Sequence, residues 1–283
     1  AIQAVAEGTF AADNNATELV FMTGATAAAS ARFIIASDGS LSTPTLGTDN
    51  VRFGVNAGNS IVSGGLRNIL IGKNAGTALT TGDSNVAIGW EALKTEDEHA
   101  NSIAIGASAL ATQNAGADAY NVAVGYNAGT AVTTVTHNTL IGGLAGDALT
   151  TGASNVAVGY NSLGTEDVGQ HNVAIGRDAL AAQNTATAAN IYNTAVGSTA
   201  GAAITTGTFN TLIGGLSGDA ITSGDNNTAV GYSSLTVNTL SDRNVAIGNF
   251  ALGSHTQATS IDSYNVGVGH SAGREITTGI QNT

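Results

Sequence analysis

A nine-residue phrase recurs along nearly the whole chain, and this repetition constrains the fold more than any other feature of the sequence. A clear copy is NVAVGYNSL at Asn155–Leu163. The copies follow the pattern Asn-(Val/Thr/Ile)-(Ala/Leu)-(Val/Ile)-Gly-x-x-(Ala/Ser)-(Leu/Gly). They begin at Asn50, Asn68, Asn85, Ser102, Asn121, Asn138, Asn155, Asn172, Asn193, Asn210, Asn227, Asn244 and Asn265. Self-similarity at a fixed period outweighs chain length as a guide to architecture, so we expect one elongated array.

The spacing of the strand glycines shows a second, longer period. Most successive glycines are 17 residues apart, and the exceptions are 18 once, 19 once and 21 twice. The longer steps fall every fourth coil, so Gly125, Gly197 and Gly269 are separated by 72 residues. The sequence therefore indicates a four-coil unit that has been multiplied.

Each phrase has the period of a short strand rather than a helix. In Asn172–Gly176, Val173 and Ile175 lie on one face and Ala174 on the other. We expect the β-branched pair to fill the inside of each coil and the small Ala or Leu to face a close neighbour. Gly after the strand and Asn before it are typical turn residues. The expected coil is strand, turn, second short strand, turn.

Seventeen residues suit one circuit of a narrow β-solenoid. The predicted fold is all-β: a parallel β-roll or β-solenoid of about 13 coils of about 17 residues, left-handed and assembled as a homotrimeric fibre. At an interstrand spacing of about 4.8 Å the array is roughly 60 Å long. So narrow a coil encloses little apolar volume, and we expect three chains to pack together through the small-residue face.

Composition excludes several partners. The net charge of −12, with only 8 Lys and Arg, disfavours nucleic acid, since binding to phosphates needs clustered basic residues. No run of about 18 apolar residues is present, so no membrane insertion is expected. The chain has no Cys and hence no disulfide. Because it begins at Ala1 and stops within a repeat, we expect a segment of a longer protein, truncated at its C-terminal end.

Residues 1–49 do not follow the repeat and form the first predicted domain, a β-rich lead-in, followed by the repeat array at 50–283. Two short strands are predicted within the lead-in, at Leu19–Met22 and Arg32–Ile35. Turn residues follow each strand, and Pro44 interrupts pairing before the array.

The repeats resemble two known families. NVAIGWEAL at Asn85–Leu93 and NVAIGRDAL at Asn172–Leu180 resemble the head repeats of trimeric autotransporter adhesins, which form a left-handed parallel β-roll. NTLIGGLAGDALTTG at Asn138–Gly152 resembles repeats of bacteriophage tail fibres, and ARFIIASDG at Ala31–Gly39 is similar to a segment that precedes them. The adhesin repeats are shorter than 17 residues, which favours the phage fibre.

The resemblance implies a structural and adhesive segment of a phage tail fibre. Its expected partners are two further copies of itself, other tail or baseplate proteins, and a host surface glycan or outer-membrane component, and its expected location is the virion tail. The head of a bacterial trimeric adhesin, on a bacterial cell surface, is the alternative. A polysaccharide-degrading tailspike is a second alternative, and an ice-binding solenoid is disfavoured because no Thr-x-Thr column runs through consecutive coils.

Two series of aromatic residues are candidates for receptor contact. Trp90, Tyr160 and Tyr232 follow the strand glycine and are 70 and 72 residues apart. A second series precedes the repeat asparagine at steps of 72: Tyr120, Tyr192 and Tyr264. Exposed rings can stack on sugars, whereas the alternative role is to cover neighbouring glycines. The longer loops at 111–119, 181–191 and 253–263 are further candidates.

Acidic residues suggest two other chemistries, neither of which we adopt. The clusters Glu96–Glu98 and Glu166–Asp167 contain the paired carboxylates of a glycosidase or a Ca²⁺ site. The third unit has Asn238 and Thr239 in their place. His99 and His171, 72 residues apart, offer a His cluster in a trimer. We expect no catalytic residues, no cofactor and no metal, and hence a protein that is not an enzyme.

Overall fold

The computed structural model describes residues 2–6, 17–23, 30–35, 41–42, 47, 49–187 and 189–283. It is an all-β protein whose repeat region forms a β-solenoid. Thirteen three-residue strands, one from each coil, pair in parallel to form one continuous sheet in strict sequence order. The predicted solenoid of about 17-residue coils is thereby confirmed. Within the described ranges there is no helix long and apolar enough to cross a bilayer.

The first sheet contains four antiparallel strands: β1 (Ile2–Ala6), β2 (Thr17–Thr23), β3 (Ser30–Ile35) and β4 (Leu41–Ser42). β2 and β3 contain the two strands predicted from the sequence. The turn residues predicted after them, from Gly24 and at 37–40, and Pro44 lie outside the described residues.

The solenoid sheet is built from strands that all occupy the same place in the repeat. They are β5 (Val51–Phe53), β6 (Ile69–Ile71), β7 (Val86–Ile88), β8 (Ile103–Ile105), β9 (Val122–Val124), β10 (Thr139–Ile141), β11 (Val156–Val158), β12 (Val173–Ile175), β13 (Thr194–Val196), β14 (Thr211–Ile213), β15 (Thr228–Val230), β16 (Val245–Ile247) and β17 (Val266–Val268). Equivalent residues pair throughout, as Val156 does with Val173, so the side chains form straight columns.

The two faces of each strand are the reverse of those predicted. Ala174 is fully buried, whereas Val173 is half-buried and Ile175 is 37% exposed. The prediction that the β-branched pair fills the coil was wrong, and so was packing between chains through the small-residue face, because that face is the core. The repeat asparagine determines which face of the strand points inward. The Asn172 Oδ1 accepts from the buried N–H of Asn193, so this side chain must turn inward, and a period of two then places Ala174 inside as well.

The interior of each coil holds a few aliphatic side chains. A large residue at one inward position is matched by a small residue at another. The residue four places after the strand glycine is a buried Leu in six coils and Gly in the rest. A central Leu such as Leu140 occurs where that position is Gly146, and a Cβ on Gly146 would lie 2.8 Å from Leu140 Cδ2. The same Cβ would lie 2.8 Å from Cδ1 of the buried Leu149, so Leu140 and Leu149 fill this level and a side chain at 146 would overpack it.

Each coil contains one strand, not the two predicted. Outside the named strands, the described solenoid has only two isolated bridges, Gln170–Asn190 and Asp242–Asp262. The rest of the coil consists of turns, in which left-handed residues such as Asn161 (φ 55°) and Leu163 (φ 52°) alternate with ordinary ones. This alternation bends the backbone too sharply for a second strand.

The strand glycines are required by both conformation and space. Their φ values lie between 128° and 143°, a region that side chains disfavour. A Cβ on Gly89 would lie 2.4 Å from the carbonyl oxygen of Gly106 in the next coil. The glycines therefore stack directly on one another and let the coils approach at this turn.

Buried asparagines form a ladder through the whole solenoid. The Oδ1 of Asn155 accepts a hydrogen bond from the backbone N–H of Asn172 at 2.9 Å. Its Nδ2 donates to the carbonyl of Gly169 at 2.9 Å, in the turn before Asn172. The same two bonds recur in most coils. Each asparagine thus connects its coil to the next through two buried backbone groups that have no other partner in a β-ladder.

Replacing one ladder asparagine is expected to destabilise the fold strongly. Asn155→Ala leaves the Asn172 N–H and the Gly169 carbonyl buried without partners, at a cost of about 2–4 kcal/mol in the free energy of unfolding. Thermal and denaturant unfolding measure this loss. Asn184→Ala is the matched control, because Asn184 is exposed and its amide makes no hydrogen bond among the described residues. Equal stability of the two variants would contradict a structural role for the ladder.

Candidate functional site

The aromatic series before the strand occupies a corner of the solenoid, defined as the residue preceding the repeat asparagine. Tyr120, Tyr192 and Tyr264 are 51%, 48% and 47% exposed and have left-handed φ angles. The ring of Tyr192 stacks between His171 and Phe209, with centroid distances of 5.1 and 5.8 Å. Both faces of that ring are therefore covered by neighbouring coils, and only its edge remains for a ligand.

The other members of this series also have partners. Tyr120 stacks on His137 at 5.6 Å. Tyr264 lies under the guanidinium of Arg243 at 5.9 Å and donates a hydrogen bond to Asp262. Because the coils are in register, this corner forms stacks of flat side chains along the solenoid axis. Because stacking and hydrogen bonding hold these three tyrosines against neighbouring coils, they have a structural role whether or not they also contact a ligand.

The aromatic series after the strand occupies the opposite corner, defined as the residue following the strand glycine. Trp90, Tyr160 and Tyr232 are 50%, 56% and 48% exposed. Tyr160 leans over Gly143 of the preceding coil, since a Cβ on that glycine would lie 3.6 Å from its Cδ2. Tyr232 covers Gly215 in the same way, as the alternative reading of these rings predicted.

Sequence reasoning missed one aromatic residue at this second corner. Tyr126 also follows a strand glycine and is 61% exposed, the largest value among the described Tyr, Trp and Phe side chains. It does not belong to the 72-residue series, which is why the longer period overlooked it. It precedes Tyr160 by 34 residues, two coils of 17, and aligning individual coils would have found it.

A buried polar pair lies beneath the first two long loops. Glu96 and Glu166 are fully buried in the third coils of their units, and each accepts a hydrogen bond from the glutamine one coil further on. Gln113 Nε2 lies 3.0 Å from Glu96 Oε2, and Gln183 Nε2 lies 2.9 Å from Glu166 Oε2. These side chains occupy the inward position that aliphatic residues fill in other coils.

The buried carboxylates hold the loop backbone in place. Glu166 accepts hydrogen bonds from the N–H of Gly169 at 2.7 Å and from the hydroxyl of Thr185, which is in the loop at 181–191, at 3.0 Å. Glu96 accepts one from the N–H of Ala115, in the loop at 111–119, at 3.1 Å. A carboxylate that accepts several hydrogen bonds holds the segments that donate them in fixed positions.

The acidic cluster at Glu96 has the right residues for a metal but lacks free ligand atoms at its buried member. Ligand atoms of Glu96, Asp97 and His99 lie within 4.8 Å of one another. Glu96 Oε1 accepts from His99 at 3.3 Å, and Oε2 is bonded by Gln113 and Ala115. His171 occupies a different place, in the Tyr192 stack, so the two histidines are not equivalent.

The third unit replaces the polar pair with Asn238 and His255. Asn238 bonds the backbone of Ser241 in its own turn. His255 is fully buried, and its Nε2 lies 3.3 Å from Nδ2 of the ladder residue Asn265. Burial lowers the pKa of His255 below its ordinary value, and hydrogen bonding to the Thr277 backbone opposes this only in part. The neutral ring, whose Nε2 accepts from the amide, is the form that fits the site.

With this geometry established, comparison with known proteins identifies no relative. No family model, no curated protein and no solved structure matches the chain. The functional argument therefore depends on the residues themselves.

Removing a buried carboxylate is expected to loosen its loop. Glu166→Leu keeps an inward side chain of similar size but leaves the N–H groups of Val168, Gly169 and Thr185 without their acceptor. Hydrogen exchange of these amides is expected to accelerate by about 10-fold or more, since each lost buried bond is worth about 1–3 kcal/mol. Asp167→Leu, beside it, is the control. Unchanged exchange in Glu166→Leu would refute the anchoring role.

The third unit is expected to lose stability in mild acid. Because the pKa of His255 is lower in the folded than in the unfolded chain, its contribution is present above about pH 6.5 and is lost as pH falls through the folded-state value. Comparing melting temperatures at about pH 7.5 and about pH 5 measures the effect. His255→Gln, which installs the residue found at 113 and 183, is expected to reduce the pH dependence. An identical pH dependence in both proteins would exclude this histidine as its source.

Proposed function

We propose that this chain is a segment of a bacteriophage tail fibre, a rigid homotrimeric shaft that presents its loops to a host cell surface. The observation that carries the proposal is the exposed apolar face of the solenoid sheet. The third residue of every strand is apolar, and Ile71, Ile141, Ile213 and Ile247 are each 36–40% exposed. A monomeric protein rarely leaves so long a contiguous apolar strip in water.

The size of this face suits an interface between copies of the chain. Thirteen strands at about 4.8 Å, each about 10 Å wide, give on the order of 600 Å². The flanking corners bring the area toward the roughly 800 Å² per partner of a standard interface. The first strand position adds nine further apolar side chains and four threonines, at Thr139, Thr194, Thr211 and Thr228. Three such faces around one axis would bury them all.

A trimeric shaft of this kind works as a spacer and a display scaffold. Every coil contacts only its neighbours, so stiffness and stability accumulate along the array. The loops at 111–119, 181–191 and 253–263 recur every four coils, so an assembled fibre repeats them along its length. Several weak contacts on one rigid body bind a surface more tightly than any one contact alone.

The adhesin head shares this architecture, and the full-length gene would distinguish it by a membrane-anchoring β-barrel. The tailspike alternative has no supporting observation. Glu96 and Glu166 are fully buried and hydrogen-bonded by neighbouring donors, as a loop anchor requires.

A charge placed on the sheet face is expected to break the trimer but leave the fold intact. Ile141→Lys changes a side chain that is already 38% exposed in the single chain, whereas in a trimer it would bury three ammonium groups without partners. Light scattering after size exclusion is expected to give a trimer for the wild type and monomers for this variant. Thr151→Lys, on an exposed turn, is the control and is expected to remain trimeric. A wild type that is monomeric in native buffer would refute the proposal.

A further inference from the structure

A pocket lies at the long loop of the second unit, the loop at 181–191. It has a volume of about 250 Å³, and its walls come from this loop and from the turn of the next coil. Its lining consists only of threonine, alanine and isoleucine: Thr185, Ala186, Thr187, Ala189, Ile191, Thr206 and Thr208. None of these residues lies on the sheet face or at either aromatic corner, so the contact proposed between chains does not use them.

The base of the pocket is apolar. Ile191 is 2% exposed and lines the pocket from the inside of the coil. Ala186 and Ala189 are exposed and add methyl groups to the walls. A ligand that fills this space therefore buries an apolar group against these three residues.

Two of the four threonine hydroxyls in the lining already donate their proton to a carboxylate. Thr185 Oγ1 donates to the buried Glu166 at 3.0 Å, and Thr208 Oγ1 donates to Asp225 at 2.9 Å. Because a hydroxyl has one proton, these two oxygens can only accept a hydrogen bond from a ligand. The carboxylates behind them also repel an anion, so the pocket favours a neutral ligand that carries donors.

The other two hydroxyls are free to bond a ligand. Thr187 and Thr206 are exposed, and their hydroxyls make no hydrogen bond among the described residues. Each can donate or accept. No charged side chain is among the described residues that line the pocket. The pocket thus combines an apolar base, two fixed acceptors and two hydroxyls that can donate.

We propose that this pocket binds one N-acetylated pyranose residue of a neutral surface glycan. The acetamido methyl contacts Ile191, the acetamido N–H donates to Thr185 or Thr208, and its carbonyl accepts from a free hydroxyl. Pockets for larger ligands begin at roughly 300 Å³, so this space suits a single sugar residue. The inference rests on the proposed function and names its ligand class and its place on the shaft.

The third unit has different residues in the equivalent loop. Gln257 stands in place of Thr185, and its Nε2 donates to the carbonyl of Thr278 in the next coil at 3.0 Å. Ser263 replaces Ile191, so the apolar base is lost as well. The loop of the first unit is two residues shorter. The proposed site therefore belongs to the second unit, and the other two provide matched positions for controls.

Saturation-transfer NMR on the wild-type trimer tests the pocket. The probes are chitotriose and the methyl glycoside of N-acetylgalactosamine, and cellotriose is the matched probe without acetamido groups. Ala189→Phe fills the pocket from an exposed position. Thr206→Val removes a free hydroxyl without changing the shape of the side chain. Thr134→Val is the control, because Thr134 is the exposed equivalent of Thr206 in the first unit, 72 residues earlier.

The expected result is transfer to at least one N-acetylated probe in the wild type and in Thr134→Val. Affinity is expected to fall about 10-fold or more in Ala189→Phe, in Thr206→Val and for cellotriose. Light scattering is expected to show trimers for all of these proteins, since no substituted residue lies on the sheet face.

Three results would overturn the pocket and leave the proposed function standing. The first is wild-type binding that neither Ala189→Phe nor Thr206→Val weakens, and the second is equal binding of cellotriose and chitotriose. The third is a trimeric wild type that shows no transfer to either N-acetylated probe. A monomeric wild type without transfer would overturn the proposed function together with the pocket.

Discussion

The buried asparagine ladder is the constraint on which the rest of the structure depends. A coil of 17 residues has too small a cross-section to enclose water or a second layer of side chains, so its turns must satisfy their backbone groups with the chain itself. One amide per coil does this by accepting from the next asparagine N–H and donating to the turn carbonyl, as Asn138 does with Asn155 and Gly152. The ladder therefore determines the register, the inward face and the length of the coil together.

The exceptions to the ladder show how longer loops are accommodated. At the two 21-residue steps the bonds to Asn193 and Asn265 lengthen to 3.3 Å, while the others measure 2.8–3.0 Å. At each step a polar residue of the inserted coil approaches the asparagine amide: Gln183 bonds Asn193, and His255 lies beside Asn265. Gln113 does the same for Asn121 beside Ser102, where the asparagine is missing. An insertion is tolerated where an inward polar side chain compensates for the lengthened hydrogen bond between successive asparagines.

The sequence was sufficient to predict the solenoid, the 17-residue coil, the strand positions and the glycine turns, because these follow from a local period and from backbone sterics. The prediction of which strand face is buried was wrong. Alternation separates Val173 and Ile175 from Ala174 without saying which side is inside. Two signals were present. Asn172 shares the parity of Ala174, and threonine occurs at the outer position in Thr139 and Thr211, where a core would leave its hydroxyl unpaired.

The corrected orientation changes where interactions are to be sought. If the β-branched residues filled the coil, the exterior would be small and polar and the aromatic corners would be its only apolar features. With those residues outside, the sheet face becomes the larger apolar surface and the rings lie at its two edges. One edge is closed by stacking, as in His171, Tyr192 and Phe209, and adds stiffness along the axis. At the other edge, Tyr160 leans over Gly143 and Tyr232 leans over Gly215. These rings pack against backbone that has no side chain of its own, so both aromatic edges of the sheet contribute contacts between neighbouring coils.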